Sequence, residues 1–279
     1  MKIGIIGNGF VGGALYNGFK DFAELKVFDT NPEKSTHTME EVVQTSDYIF
    51  VCVPTPMNKS NNGRADLSII ESVLNAVSSN KGEGHNPIVA IKSSIPPGAG
   101  QKLVSKNSNL NIVFNPEFLT EKRADLDFLE ADRIVIGGKQ KNTSALSSVY
   151  RERFPDKNVI ETDIQTAEFI KYMCNCFFAT KVSFMNEMYQ GAMALGVNWQ
   201  DAVAGLITDT RVGRSHLMVP GPDGDFGFGG KCFPKDINAF INIFNDVGVN
   251  SSVLEAAWDK NLEVRNNHDW EDIPGAVSK

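Results

Sequence analysis

Cys232 stands in Gly227-Phe228-Gly229-Gly230-Lys231-Cys232-Phe233-Pro234-Lys235-Asp236, with a lysine on either side and glycines upstream. Flanking lysines lower a thiol pKa from about 8.5 and raise the thiolate fraction, which is the form that attacks a carbonyl carbon. A following helix capped by Asp236 would add its N-terminal dipole. The glycines give flexibility and room for a bulky ligand. Taken alone, the stretch fits a buried structural cysteine equally well. That plainer role suits Cys52, inside an apolar strand, and Cys174 and Cys176, inside a helical run.

Two further pairs have spacing that suggests chemistry. Lys171 and Asn175 are four apart on a long helical stretch, hence on one face. An ammonium and an amide converging on one point can hold a developing oxyanion. A surface lysine beside a polar neighbour gives the same pattern. Glu117 and Glu121 repeat the spacing after Asn115-Pro116, at the expected start of a helix that follows a strand. Two like charges so placed raise one pKa, as a general base requires. A solvated acidic helix start is the alternative.

Gly7-Asn8-Gly9-Phe10-Val11-Gly12 fits G-x-G-x-x-G between a first strand and a helix. The first glycine permits the turn, the second lets backbone approach a pyrophosphate, and the third allows close helix–strand packing. Asp29 ends the second strand about 20 residues on, where a carboxylate bonds ribose hydroxyls. It repels a 2′-phosphate, and no arginine follows closely, so NAD is expected rather than NADP.

The elements that must carry these groups read as a doubly wound α/β sheet followed by helices. Apolar runs at Lys2–Gly7, Leu25–Asp29, Asp47–Val53, Ile88–Lys92, Asn111–Phe114, Arg133–Gly137 and Asn158–Glu161 alternate with segments of helical length. Strands apolar throughout and separated by helices imply a parallel sheet covered on both faces. After Thr162 the pattern changes: Asp163 can cap a helix, and Ile164–Leu195 runs at helical spacing without proline. Helices are also expected at Asn198–Ile207, Asp236–Val247 and Ser252–Asn267, around a glycine-rich loop at Asp209–Phe233. The expected domains are therefore a Rossmann-like one at 1–162 and a helical one at 163–279.

Composition bounds the function. A net charge of -7 over 279 residues argues against a nucleic-acid binder. No stretch approaches the roughly 20 apolar residues of a membrane helix. Cysteines without framework spacing point to reduced thiols and a cytoplasmic protein. The four histidines pair with no ligand cluster, so no metal site is expected.

In order along the chain, these stretches resemble the UDP-glucose/GDP-mannose dehydrogenase family. The resemblance runs from the glycine loop through Val53-Pro54-Thr55-Pro56, Lys92-Ser93-Ser94-Ile95-Pro96-Pro97-Gly98, Asn115-Pro116-Glu117-Phe118-Leu119 and Asp132–Gly137. It continues at Ala167-Glu168, Lys171, Asn175 and Asn186-Glu187, and is most specific at Gly227–Asp236. It implies a four-electron oxidation with two NAD+, in which Cys232 captures an aldehyde as a thiohemiacetal, then carries a thioester that water releases as acid. Lys171 and Asn175 would stabilise oxyanions, Asp236 would move protons through water, and Glu117 or Glu121 would activate the hydrolytic water. Pro54, Thr55 and Ser94 would line the nicotinamide side, with Glu121 and Lys235 also near NAD. Glu117, Phe118, Leu119, Phe228, Gly229 and Gly230 would contact substrate, and Arg211 would reach it across a homodimer built on the long helix.

The resemblance has two departures. Ser94 replaces the usual threonine and keeps the hydroxyl. The family's C-terminal domain is not present in this chain, which reads as a compact version or a fragment. UDP-glucose is the default substrate, with discrimination expected in Arg214–Asp225. Competing readings are a β-hydroxyacid dehydrogenase, which makes one hydride transfer without a thiol, and a non-catalytic NAD or nucleotide-sugar binder.

Overall fold

The computed structural model describes residues 1–278. The chain forms two compact units. The first comprises Met1–Thr55 and Asp66–Lys171, and the second comprises Pro56–Ala65 with the residues from Tyr172 onward. Lys171 is the last residue of the first unit, and the short segment 56–65 groups with the later one.

The strands are β1 (Lys2–Ile6), β2 (Glu24–Phe28), β3 (Tyr48–Val51), β4 (Met57–Asn58), β5 (Arg64–Ala65), β6 (Ile88–Ile91), β7 (Asn111–Phe114), β8 (Arg133–Gly138), β9 (Asn158–Thr162) and β10 (Val277–Ser278). The helices are α1 (Phe10–Phe19), α2 (Met39–Thr45), α3 (Ser68–Asn80), α4 (Ala99–Lys106), α5 (Ala124–Glu130), α6 (Gln140–Arg153), α7 (Ile164–Leu195), α8 (Trp199–Leu206), α9 (Phe233–Asp246) and α10 (Ser252–Val264).

Unit one is a seven-stranded sheet in the order β2-β1-β3-β6-β7-β8-β9. Its inner strands β3, β6 and β7 are almost wholly apolar because both faces are covered, whereas the edge strands β2 and β9 carry charged residues and are mostly half-buried. Ile3, Ile5 and Phe50 enter one core, while Ile6, Ile49 and Val51 enter the other. The sheet is parallel except at β7–β8, where the strands pair antiparallel. The short α5 connection does not return the chain to the edge where β7 began, so β8 runs back beside it.

Unit two is helical, with a small β10-β4-β5 sheet. One core gathers Tyr172, Cys176, Phe228, Ile237 and Phe240, and a second gathers Met185, Leu217 and Val219. As expected, Asp163, in unit one, caps α7, accepting from Thr166 N at 2.9 Å and from its hydroxyl at 2.6 Å. Among the described residues, no helix is long and apolar enough to cross a membrane.

Candidate functional site

The three glycines of the first loop are needed for different reasons. Gly7 has φ +94, and a Cβ there would lie 2.6 Å from Cys52 O. A Cβ on Gly12 would overlap Gly7 O. The chain's own packing thus requires both. Around the Cβ position of Gly9, nothing described lies within 4 Å. Gly9 is also the N-cap of α1, and no described side chain caps it. Asp29 accepts from Asn8 N at 2.7 Å and Asn31 N at 2.8 Å, which brings its carboxylate to the glycine loop. Phe10 and Val11 form the first turn of α1. Open space over Gly9, an uncapped helix N-terminus and an acid at the end of β2 fit a dinucleotide pyrophosphate and ribose.

Beside this loop, the segments after β3 and β6 are tied together at the carboxyl ends of their strands. Thr55 Oγ1 donates to Ser94 O at 2.7 Å, and Ser93 Oγ to Val53 O at 2.7 Å. Pro54 is exposed and Ser94 half-buried. The turn after Ser94 is held by buried Glu168, which accepts from Gly98 N at 2.7 Å and Gly100 N at 2.5 Å. Burial pushes the Glu168 carboxyl up to about 7.

Beyond β7 the chain runs without helix through Asn115–Thr120. A 3-10 turn follows at Glu121–Arg123, and α5 begins at Ala124. The helix expected to start at Glu117 and Glu121 therefore begins only at Ala124, and these two residues do not share a helical face. Glu117 instead meets Lys171, whose Nζ donates to Glu117 O at 2.7 Å and Oε1 at 2.9 Å. Its Oε2 accepts from Leu119 N at 2.6 Å. Both side chains are buried. The Phe118 ring lies under two cations, Arg133 at 4.5 Å and Lys171 at 5.4 Å. Glu121 lies on the exposed 3-10 turn. Lys92 is a buried cation that sequence reasoning did not single out. It donates to Asn115 Oδ1 at 3.3 Å and Pro116 O at 3.4 Å, and burial pulls its ammonium down to about 8.

In unit two, α9 starts at Phe233, three residues before the expected start, because Pro234 is compatible with the first turn. The N-cap is therefore Cys232 rather than Asp236, and Asp236 N donates to Cys232 O at 2.8 Å to close the first turn. Cys232 thus sits at the positive end of a 14-residue helix. Asp236 is fully buried; it accepts from Asn175 Nδ2 at 2.6 Å and pairs with Lys235. Lys235 also lies over the Tyr172 ring at 5.7 Å. Cys176 is buried, and burial pushes its thiol well up; burial also pushes that of Cys52, in unit one, up to about 12. Both fit the plainer role. Arg211 is exposed and forked onto Asp209, at 2.9 and 2.6 Å.

The glycine run before Cys232 is not loose. Phe228 is buried in the core, and a Cβ on Gly227 would overlap Asn261 Oδ1. A Cβ on Gly229 would overlap Asp269 and Arg265. Those glycines admit neighbouring side chains of unit two rather than leaving room for a ligand. Asn261, Arg265 and Asp269 carry no local sequence signal and went unremarked in the sequence.

The family profile described as the NAD binding domain of the UDP-glucose/GDP-mannose dehydrogenase family matches residues 23–154, and the profile of its central domain matches 165–263. A UDP-glucose 6-dehydrogenase of Rickettsia felis (strain ATCC VR-1525 / URRWXCal2) is 34% identical over 248 residues, 87% of this chain and 53% of that protein. One from Bacillus subtilis (strain 168) is 33% identical over 274 residues, 95% of this chain and 56% of its own length. The chain thus spans about half the length of the curated relatives it matches. The structure of a UDP-glucose dehydrogenase from the hyperthermophilic archaeon Pyrobaculum islandicum superposes with TM-score 0.82 at 29% identity, covering 94% of this chain and 68% of that one.

Proposed function

Because the chain belongs to the UDP-glucose/GDP-mannose dehydrogenase family, whose N-terminal domain binds NAD, we propose that it oxidises the primary alcohol of a nucleotide sugar to the acid, with UDP-glucose as substrate and a thioester on Cys232. The observation that carries this reading is Cys232 at the N-cap of α9, with Asp236 one turn on and hydrogen-bonded to Asn175. The relatives named UDP-glucose 6-dehydrogenase support the choice of sugar.

Bound NAD+ supplies the hydride acceptor for each oxidation. Cys232 Sγ, as thiolate, adds to the aldehyde carbon, and the former carbonyl oxygen takes a proton to give the thiohemiacetal. Its oxidation leaves a thioester. Water then adds to that carbon and the C–S bond breaks, returning the thiolate and releasing the acid. Lys171 and Asn175 stabilise the oxyanions. Glu117, paired with Lys171, takes the proton from the attacking water, and Asp236 relays protons near the sulfur. Overall, alcohol, two NAD+ and water give acid, two NADH and two protons, with a third released as the acid ionises.

A homodimer accompanies this reading. Along α7, Met173 (48%), Phe177 (62%), Phe184 (54%) and Leu195 (81%) are exposed, an apolar stripe of the kind a second copy covers. Arg211 would then serve the partner's substrate. A cytoplasmic location fits a catalytic thiol kept reduced.

The test is stoichiometry. The purified chain with NAD+ and UDP-glucose should yield two NADH per uronate, and Cys232→Ala should abolish both while retaining NAD binding. One NADH per product, or turnover in Cys232→Ala, would sink the thioester. NAD binding without turnover on any UDP- or GDP-sugar would sink the activity for this chain.

A further inference from the structure

Asn261, on α10, and Arg265, the C-cap of that helix, stand one turn apart, and both are buried. Asn261 clasps the Phe228 backbone on both sides of its Cα: Phe228 N donates to its Oδ1 at 2.6 Å, and its Nδ2 donates to Phe228 O at 3.0 Å. Arg265 donates to Phe226 O at 3.3 Å, Asp223 Oδ2 at 2.9 Å and Asn267 O at 2.8 Å. Its Nη2 also lies 3.3 Å from Asp269 Oδ1 and 3.6 Å from Asp225 Oδ2. Asp269 in turn accepts from Gly230 N, at 3.2 Å to each oxygen. Buried Asn186 accepts from Gly227 N at 3.1 Å. The amides of residues 227, 228 and 230 are thus held by three different side chains, and Gly229 is pressed against Arg265 and Asp269.

We propose that Asn261, Arg265 and Asp269 are positioning residues for Cys232, fixing the Gly227–Gly230 backbone so that the thiol's direction of attack is set before substrate binds. The proposal rests on Cys232 as the nucleophile. Its physical basis is preorganisation: a displacement of about 1 Å at a reacting atom costs about 100-fold in rate. A loop of glycines would not hold that tolerance by itself. The charge arrangement shows how the frame is kept. One buried guanidinium faces three carboxylates, so Arg265 stays paired with Asp223 and Asp225 if Asp269 is lost. Asp269, partly exposed, is therefore the place to loosen the frame without leaving a buried charge alone.

The test compares Asp269→Ala and Asp269→Asn with the full wild-type chain. Three quantities are read: amide hydrogen exchange of the 227–232 peptide, the rate of Cys232 alkylation by iodoacetamide relative to Cys174, and kcat against KM. In Asp269→Ala, exchange should rise about tenfold at Gly230 and Cys232 alkylation about threefold. Its kcat should fall about tenfold, with the sugar KM within about twofold. Asp269→Asn keeps an acceptor oxygen for Gly230 and should fall in between. Unchanged exchange and alkylation in Asp269→Ala would overturn the proposal. So would a uniform rise in exchange across unit two with an unchanged Cys232-to-Cys174 ratio, because that is plain destabilisation. Exchange and alkylation need no turnover. An active Cys232→Ala enzyme would therefore count against the proposed chemistry, and an unchanged Asp269→Ala against the frame.

Discussion

Lys171 Nζ donates twice to Glu117, to its carbonyl oxygen at 2.7 Å and its carboxylate at 2.9 Å, across 54 positions of sequence. The lysine proposed to meet an oxyanion therefore carries a built-in counter-ion, and the ion pair is buried. Removing one member leaves the other as a lone buried charge. Lys171→Met should lose about 3 kcal/mol of stability in urea unfolding. Combining it with Glu117→Gln should recover more than half of that loss. A single-variant loss under about 1 kcal/mol would mean that the pair is wetter than its burial indicates.

The glycines of the first loop should separate packing from binding. Gly12→Ala should cost about 2 kcal/mol, because its Cβ overlaps Gly7 O. Gly9→Ala meets none of the described residues within 4 Å and should leave stability within about 0.5 kcal/mol. It should nevertheless weaken NAD binding about tenfold or more, because the new methyl occupies the pyrophosphate's approach. Thermal melts and a NAD+ titration read both effects. Unchanged NAD affinity in Gly9→Ala would remove this loop from the cofactor site.

Glu168 should make stability fall as pH rises. Burial is the chief cause that pushes its carboxyl from the ordinary 4.5 up to about 7 in the folded chain. Between those values the native state binds the extra proton, so unfolding becomes easier as pH climbs through this window and then levels off. The full effect is at most about 3 kcal/mol. Glu168→Gln keeps an oxygen for Gly98 or Gly100 and should flatten the profile. Urea unfolding at pH 5 and pH 7.5 checks this, and an identical slope in the variant would refute it.

Thiol labelling should separate Cys232 from Cys52 and Cys176. Burial pushes the Cys52 thiol up to about 12 and raises that of Cys176 as well, so neither should react with iodoacetamide in the native chain near neutral pH. Cys232, partly exposed at a helix N-terminus, should label first. Peptide mapping with and without denaturant gives the order, and native labelling of Cys52 at the rate of Cys232 would contradict it.

The sequence alone determined what depends on residue type over short range. Continuous apolar runs such as Ile3–Ile6 and Ile49–Val51 specify strands buried on both faces, and Asp163 marks the start of α7 through its cap. Gly7 and Gly12 are required by backbone geometry that any chain making this turn must satisfy. The ordered motifs up to Gly227–Asp236 were enough to reveal the family resemblance. Spacing misled where it assumed a helix: Glu117 and Glu121 looked like one face, yet the chain stays irregular through Thr120 because Glu117 is drawn to Lys171. Only the tertiary structure decided the antiparallel turn of β8, the grouping of 56–65 with the second unit, and Cys232 rather than Asp236 at the N-cap of α9. It alone brought Asn261, Arg265 and Asp269 to the glycine run, from more than 30 residues away. Such contacts leave no periodic trace, because a buried polar side chain is placed by the donors and acceptors it must satisfy, and these lie wherever the fold brings them.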